Sequence, residues 1–296
     1  MTPPSDEDVV VDIEWSGIST GTERLLWSGT MPSFPGMGYP LVPGYESIGR
    51  IRAAGPQSQR RAGQRVFVPG ARCYGDVRGL FGGAAARVVV PGERTLPIDD
   101  AFDQRGVLLA LAATAHNAMR APEGGYRIPE LIIGHGVLGR LLARLACALG
   151  EDAAPVVWEL DPQRMTGDEG YEVKRPDADA RTDYGAIYDV SGDGGLLDSL
   201  IGRLAPGGEI TLAGFYSEPL QFSFPPAFMR RARIRVAAEW ADTDLEAVGR
   251  LASAGDLSLD GLITDSRPAD QAADAYRIAF TDPACLKMIL DWRSVQ

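Results

Sequence analysis

The rhythm of apolar and polar positions changes twice along the chain. Over residues 1–100 the apolar positions fall in short runs: Val9-Val-Val-Asp-Ile, Ser47-Ile-Gly-Arg-Ile, Arg65-Val-Phe-Val and Arg87-Val-Val-Val. Short β-branched runs separated by Pro43-Gly44, Pro69-Gly70 and Pro91-Gly92 read as strands joined by turns, which predicts a small β-rich domain, a barrel or a sandwich. Between 113 and 240 apolar strands alternate with helical patterns. The strands are Leu131-Ile-Ile, Pro155-Val-Val-Trp-Glu, Ala186-Ile-Tyr-Asp-Val, Glu209-Ile-Thr-Leu-Ala and Arg233-Ile-Arg-Val-Ala-Ala. Continuous apolar strands in such an alternation indicate a parallel sheet covered on both faces. Residues 241–296 predict a helix, a loop, a second helix and a last strand at Lys287-Met-Ile-Leu. The expected architecture is therefore α/β: a Rossmann-type doubly wound parallel sheet (113–240) inserted into a β-rich domain (1–112) that the tail (241–296) returns to complete.

Composition narrows the function classes. At ~150 residues per domain, 296 residues predict about two domains with a sizeable core. The 35 glycines and 21 prolines predict many ordered loops without reaching low-complexity content. A net charge of −11 argues against nucleic-acid binding, which needs a cationic surface. The run Arg230-Arg-Ala-Arg-Ile-Arg does not reverse this, because it alternates as a strand with one polar face does. Cys73, Cys147 and Cys285 lie far apart, which excludes a disulfide framework and a Cys-x-x-Cys zinc pattern and suggests a reducing compartment. The longest near-apolar run, Gly106–Ala115, is about half of the ~20 residues a membrane span needs. The acidic N-terminus lacks the basic and apolar regions of a signal peptide. A cytoplasmic protein without an integral membrane segment is expected.

The sharpest motif is Gly134-His-Gly-Val-Leu-Gly139. The Gly-x-Gly-x-x-Gly pattern alone is weak, but here Leu131-Ile-Ile precedes it as a strand, a helix pattern follows over Arg140–Leu149, and Glu159 ends the next strand. In a dinucleotide site the first glycine permits the tight turn, the second lets backbone approach the pyrophosphate, and the third allows close helix–strand packing. Gly134, His135, Gly136, Val137, Leu138 and Gly139 are thus cofactor-binding candidates. Glu159 would accept hydrogen bonds from the adenosine ribose and repel a 2′-phosphate, which favours NAD over NADP; Arg164, close behind it, would oppose that preference if it reached the site. Ser191, Gly214 and Phe215 lie at two later strand ends, where ligands of such sheets bind, although their glycines serve equally as turns.

The first domain resembles the catalytic, GroES-like domain of the medium-chain dehydrogenases, the zinc alcohol dehydrogenase superfamily. The matching segments are Gly17-Ile-Ser-Thr-Gly-Thr-Glu, Pro43-Gly-Tyr-Glu-Ser-Ile-Gly, Gly82-Gly-Ala-Ala-Ala-Arg-Val-Val-Val-Pro and Ala112-Ala-Thr-Ala-His, and the likeness spans essentially the whole chain. Within that superfamily, longer strings are similar to the hydroxyethyl bacteriochlorophyllide dehydrogenases of bacteriochlorophyll synthesis. These include Trp15-Ser-Gly-Ile-Ser-Thr-Gly-Thr-Glu-Arg-Leu-Leu-Trp-Ser-Gly, Phe34-Pro-Gly-Met-Gly-Tyr-Pro-Leu-Val-Pro-Gly-Tyr-Glu-Ser and Leu286-Lys-Met-Ile-Leu-Asp-Trp. The resemblance implies NAD-dependent oxidation of a 1-hydroxyethyl group on a magnesium tetrapyrrole to acetyl, and a homodimer paired through the strand at Arg233; whether the protein sits peripherally at photosynthetic membranes is left open by the sequence. Relatives usually begin with a further β-hairpin, so the front of this chain reads as short.

Departures from the zinc enzymes are informative. Ser19 stands where they carry a cysteine, Tyr45 where they carry a histidine, and Ala112 or Ala113 where they carry the third ligand. Zinc needs three or four His, Cys or carboxylate ligands, so no metal is expected. A side chain must then take the hydroxyl proton, directly or by relay. The candidates are Tyr45, Ser19, Thr20 and Thr22, with Glu46 and His116 as relays; Thr114, by resemblance, touches the nicotinamide. The plainer readings are a tyrosine filling vacated volume, a Glu46 carboxylate paired with an arginine and a helix-bound histidine. A flat apolar macrocycle needs aromatic and flexible walls, for which Trp27, Met31, Phe34, Met37, Tyr39 and Phe81 are candidates, with Arg24, Arg72 and Arg78 for its carboxylate. Two other classes compete: a zinc-free quinone or enone reductase, which Glu159 disfavours, and a non-catalytic nucleotide-binding relative.

Overall fold

The computed structural model describes residues 1–150 and 154–295. These residues fall into two compact units, Met1–Ala110 with Leu259–Gln296, and Leu111–Ser258. The chain leaves the first unit once and returns to it. The return comes later than position 241, because the helix Asp242–Ala254 stays with the second unit. Its buried Asp244 accepts hydrogen bonds from His116 (2.8 Å) and Asn117 (2.9 Å), long-range ties that periodicity does not reveal.

In the first unit the strand Asp8–Gly17 is the organiser. Its alternation sends Val9, Val11, Ile13 and Trp15 inward. It pairs antiparallel with Ser47–Ala54, Arg87–Pro91 and Met288–Asp291. The sheet runs in the order Asp265–Pro268, Met288–Asp291, Asp8–Gly17, Ser47–Ala54, Arg65–Val68, Leu96–Pro97. The tail thus supplies two strands where the hydrophobic pattern predicts one. Asp-Ser-Arg-Pro has no apolar alternation and is held by parallel pairing to Met288–Asp291. A second unpredicted element is the short helix Thr22–Ser28, which ends at Gly29 in the left-handed region (φ 72°) with its N–H on the Leu25 and Leu26 carbonyls. This helix carries Thr22, Glu23 and Trp27.

The second unit holds six parallel strands in the order Glu172–Lys174, Val156–Trp158, Leu131–Ile133, Tyr184–Asp189, Leu204–Leu212, Arg233–Val236. In chain order this is the doubly wound arrangement 3-2-1-4-5-6, in which ligands bind beyond the strand ends where the order reverses. That point lies between Leu131–Ile133 and Tyr184–Asp189. The core packs Leu131, Ile133, Trp158, Ile187, Ile210 and Leu212 against Leu197, Leu200 and Ile201 of the covering helix. Among the described residues no helix is long and apolar enough to cross a membrane.

Candidate active site

The glycine motif of the second unit sits in the turn between the strand Leu131–Ile133 and the helix Val137–Leu149. Gly134 takes a positive φ of 100°, which a side chain would strain. A Cβ on Gly139 would lie 1.9 Å from the Gly134 carbonyl oxygen, so only glycine lets the helix seat on the turn. A Cβ on Gly136 would meet nothing within 4 Å, and Gly136 gives no side-chain cap to the helix that Val137, Leu138 and Gly139 begin. The motif therefore leaves open, beside a helix N-terminus, the space a pyrophosphate fills.

Glu159 is locked beside this turn. Its Oε2 accepts from His135 N–H (3.0 Å), and its Oε1 accepts from Leu160 N–H (2.7 Å) and Asp161 N–H (2.9 Å). A carboxylate has about four acceptor positions, so one remains for a ribose hydroxyl. His135 contributes its backbone, whereas its imidazole is fully buried and points away from a ligand role. Nδ1 lies 2.6 Å from the Arg164 carbonyl, which can only accept, so Nδ1 carries the proton and Nε2 accepts from the Tyr171 hydroxyl (2.9 Å). Burial pushes this imidazole down to about 4, so it stays neutral. Arg140, one residue past the motif, donates to the carbonyls of His135 (3.1 Å), Gly167 (3.1 Å), Arg164 (3.2 Å) and Thr166 (2.6 Å). Sequence reasoning missed this clasp; its visible sign was an arginine, one of two with Arg144, in a helix otherwise made of apolar residues and glycine.

The later strand ends close on the same place. A Cβ on Gly134 would touch the Ser191 backbone at 3.5 Å, and one on Gly214 would lie 3.2 Å from Gly192 N. Ser191 is fixed by Asp189, whose Oδ1 accepts from the Ser191 N–H (2.9 Å) and hydroxyl (2.6 Å). Phe215 stands partly exposed beside them. The geometry and donor set of this edge fit a dinucleotide.

A second cluster lies inside the first unit. The Tyr45 hydroxyl donates to Ser19 Oγ (2.7 Å) and also shares a hydrogen bond with Thr22. Burial and the charge of Glu46 push the phenol above its ordinary value, although the ring keeps some exposure. Phe81, 41% exposed, meets the Tyr45 ring edge-on at 5.3 Å. Below lie the relay candidate Glu46 and three groups the sequence did not single out, Lys287, Glu23 and Tyr276. Glu46 is wholly buried, and its Oε2 accepts from Lys287 Nζ (2.7 Å), which also donates to the Ile18 carbonyl (3.1 Å). Glu23, also buried, accepts from the Tyr276 hydroxyl at Oε2 (2.8 Å). Both Glu23 Oε1 and Glu46 Oε1 lack hydrogen-bond partners. A lysine at the entry of an apolar strand was the available signal for Lys287.

The remaining candidates separate. Thr20 stands exposed. His116 and Thr114 belong to the helix Leu109–Met119. His116 Nδ1 is bound to Asp244 (2.8 Å) and Nε2 to the Tyr126 hydroxyl (2.8 Å), so both nitrogens serve to fasten that helix and the arrangement gives a relay no support. Trp27 stacks on Tyr276 (5.5 Å, 7°) with Phe280 at its edge (6.1 Å), yet is 59% exposed. Met37 packs on Leu26, Met31 and Leu80, and the Tyr39 hydroxyl holds the Leu26 carbonyl. Phe34 and Tyr39 expose their rings. Arg78 lies over Gly38, where a Cβ would meet the guanidinium carbon at 2.9 Å.

Comparison with known proteins gives the context. Residues 5–100 match the alcohol dehydrogenase GroES-like domain. The chain is 57% identical to a 2-desacetyl-2-hydroxyethyl bacteriochlorophyllide A dehydrogenase of Rhodobacter capsulatus, with 100% of this chain and 94% of that protein covered. It is 55% identical to the protein of that name in Cereibacter sphaeroides, with 99% of this chain and 93% of that protein covered. Among solved structures, 2R,3R-butanediol dehydrogenase from Bacillus subtilis superposes with a TM-score of 0.82 at 19% identity, covering 98% of this chain and 93% of the other. An Escherichia coli alcohol dehydrogenase complexed with NADH gives 0.81 at 20% identity, covering 98% and 94%.

Proposed function

We propose how this chain works from the family to which it belongs: it is a member of the 2-desacetyl-2-hydroxyethyl bacteriochlorophyllide A dehydrogenases, among the alcohol dehydrogenases with a GroES-like domain. It is an oxidoreductase that dehydrogenates the hydroxyethyl group of a bacteriochlorophyllide to acetyl, in bacteriochlorophyll biosynthesis. Identity of 57% along the whole chain carries this reading. A bound nicotinamide dinucleotide supplies the hydride acceptor. The protein incubated with NAD and hydroxyethyl bacteriochlorophyllide should give the shifted absorption of the acetyl product. Cofactor binding without that shift would refute the reading.

The zinc chemistry of the wider family does not fit these residues. Ser19 Oγ is engaged by Tyr45, the Glu46 carboxylate is already matched by Lys287, and neither a thiolate nor an imidazole stands with them. Among the described residues no group of three or more His, Cys, Asp or Glu is arranged to hold a metal ion. The hydroxyl proton therefore leaves through side chains, with Tyr45 as the group that meets the alcohol and Ser19 and Thr22 behind it. Phe81 and Trp27 offer exposed aromatic faces to the macrocycle, joined by Phe34, Met37 and Tyr39. A phenol near the exposed ring of Phe81 places the reacting oxygen where an apolar ring edge can rest.

Glu159 selects NAD. Its free acceptor position suits a ribose hydroxyl, and its charge opposes a 2′-phosphate. Glu159→Ala is expected to weaken NAD binding about tenfold to hundredfold, the worth of one hydrogen bond to a charged group, while NADP binding changes less. Titration calorimetry with both cofactors checks this, and an unchanged NAD/NADP ratio would remove Glu159 from selectivity.

The protein works as a homodimer. The strand Arg233–Val236 is an unpaired sheet edge, Val236 is 74% exposed, and Phe224, Phe228 and Met229 lie bare on the neighbouring helix. An edge of this kind calls for a cover, and a second copy of the same edge provides it. Val236→Asp should shift the sedimenting mass to that of one chain; a wild-type protein that already sediments as a monomer would refute the dimer.

A further inference from the structure

Arg140 is a cation buried without an anion. It is 6% exposed and stands in the helix Val137–Leu149, directly after the third glycine of the motif. Its four hydrogen bonds all go to carbonyls, those of His135, Arg164, Thr166 and Gly167, and no carboxylate among the described residues pairs with it. Arg144, one helical turn on, shows the ordinary arrangement, with Glu169 at 2.8 Å. Glu159, the acid of the same turn, is occupied by three backbone N–H groups and gives no hydrogen bond acceptor to Arg140. A buried charge is normally paired, and an unpaired one is costly unless a ligand of opposite sign answers it. The first of the four bonds shows where that ligand would be. Arg140 Nε holds the His135 carbonyl (3.1 Å), and in a planar trans peptide the N–H of the next residue points the opposite way. The Gly136 N–H therefore points away from the guanidinium, and no acceptor among the described residues meets it. Gly136 is also the position where a Cβ would meet nothing within 4 Å, at the N-terminus of the helix.

We propose that Arg140 is a positioning residue of the cofactor site, serving the pyrophosphate of the dinucleotide through the glycine turn. The proposal rests on the dinucleotide reading of this edge. Arg140 acts in two ways. Its charge, one helical turn behind Gly136, adds to the partial positive charge of the helix N-terminus and favours an anion there. Its bond to the His135 carbonyl fixes the peptide whose N–H, on Gly136, is the donor offered to a phosphate oxygen. Burial is what makes such a charge effective. In a medium of low dielectric it reaches further than a surface charge, and salt screens it less. A chain of net charge −11 repels an anionic cofactor at long range, so a fixed local cation matters more here than in a basic protein. The segment that closes over the guanidinium is shaped to hold it still. Gly167 takes a positive φ of 83°, and a Cβ there would come within 2.2 Å of Arg140 Nη1, so glycine lets the carbonyls of 164, 166 and 167 reach the fork.

Binding of ADP-ribose, which carries the pyrophosphate, and of adenosine, which does not, reads the effect without turnover. Arg140→Gln keeps a donor for one carbonyl and removes the charge. It should weaken ADP-ribose binding about 10- to 100-fold, the worth of one buried charge near an anion, and change adenosine binding by less than about threefold. Arg140→Lys keeps the charge and gives up the fork, and should stay within about fivefold of the wild type for both ligands. In turnover, Arg140→Gln should raise the KM for NAD and leave kcat at saturating NAD unchanged, the signature of a lost binding interaction that the transition state does not strengthen. Unchanged ADP-ribose affinity in Arg140→Gln would overturn the proposal. So would equal losses for ADP-ribose and adenosine, which would make the arginine a fastener of the loop alone. An Arg140→Lys protein that loses more than about tenfold for ADP-ribose would overturn the role of the charge by itself. A wild-type protein that binds neither ADP-ribose nor NAD would instead defeat the dinucleotide reading.

Discussion

Tyr45→Phe should cost the enzyme two to four orders of magnitude in kcat, roughly 10²- to 10⁴-fold, with little change in KM. The reason is the division of labour within one side chain. The ring packs edge-on to Phe81, and phenylalanine keeps that contact. The hydroxyl alone bonds Ser19 and Thr22, and on the proposed mechanism it is the group that receives the alcohol's proton. A zinc enzyme has its metal to acidify the bound alcohol. On the proposed mechanism that assistance comes from a hydroxyl whose own ionisation is disfavoured by burial and by Glu46. Such a phenol does not hold a negative charge for long, so on the proposed mechanism it passes the proton on rather than keeping it. Steady-state oxidation of hydroxyethyl bacteriochlorophyllide, with cofactor affinity measured in parallel, checks the split. A variant with near-wild-type kcat would leave Tyr45 as a space-filling residue.

The glycine turn and the acid bound to it were legible in the sequence because their requirements are local. Three glycines, a preceding apolar strand and an acid at the next strand end lie within one βαβ unit, and each has a steric or electrostatic reason to be there. The strands at Val9, Ser47, Arg65 and Arg87 were legible for the same reason, since alternation reports a buried face wherever one exists. The cluster beneath Tyr45 was not. Glu23, Glu46, Tyr276 and Lys287 meet only because the tail returns to pair Met288–Asp291 with Asp8–Gly17. No window along the chain contains two of the pairs that matter. The histidine misled for a related reason: His116 looked like a base in an apolar helix, while its partners Asp244 and Tyr126 stand 128 and 10 positions away. Residue type signals that a group can move protons; only its partners show whether it is at liberty to do so.

Lys287→Met should be the most damaging single change to stability, at about 3–5 kcal/mol, because it strands a buried carboxylate. Lys287 and Glu46 are 1% and 0% exposed, and their 2.7 Å contact is the lysine's only carboxylate partner among the described residues. Relief by rearrangement is blocked. A Cβ on Gly17 would come within 2.2 Å of Glu46 Oε2, so the carboxylate already lies against the backbone of the central strand. The second oxygen of Glu46 has no partner to lean on. The variant's remaining escape is to protonate Glu46. Its folded-state pKa would then rise above the unfolded value of about 4.3, and a raised carboxyl pKa adds stability only while the proton is bound. The deficit relative to wild type should accordingly be small near pH 4, grow as pH rises and level off once the folded-state pKa is passed. Glu46→Gln/Lys287→Met removes both charges and should recover most of the loss, since neutral partners of similar shape do not carry the desolvation cost. Urea unfolding of the single and double variants across this pH range measures both the size and the slope. A single variant that loses stability equally at pH 4 and pH 8 would show that packing of the lysine stem, not its charge, is what the cluster needs.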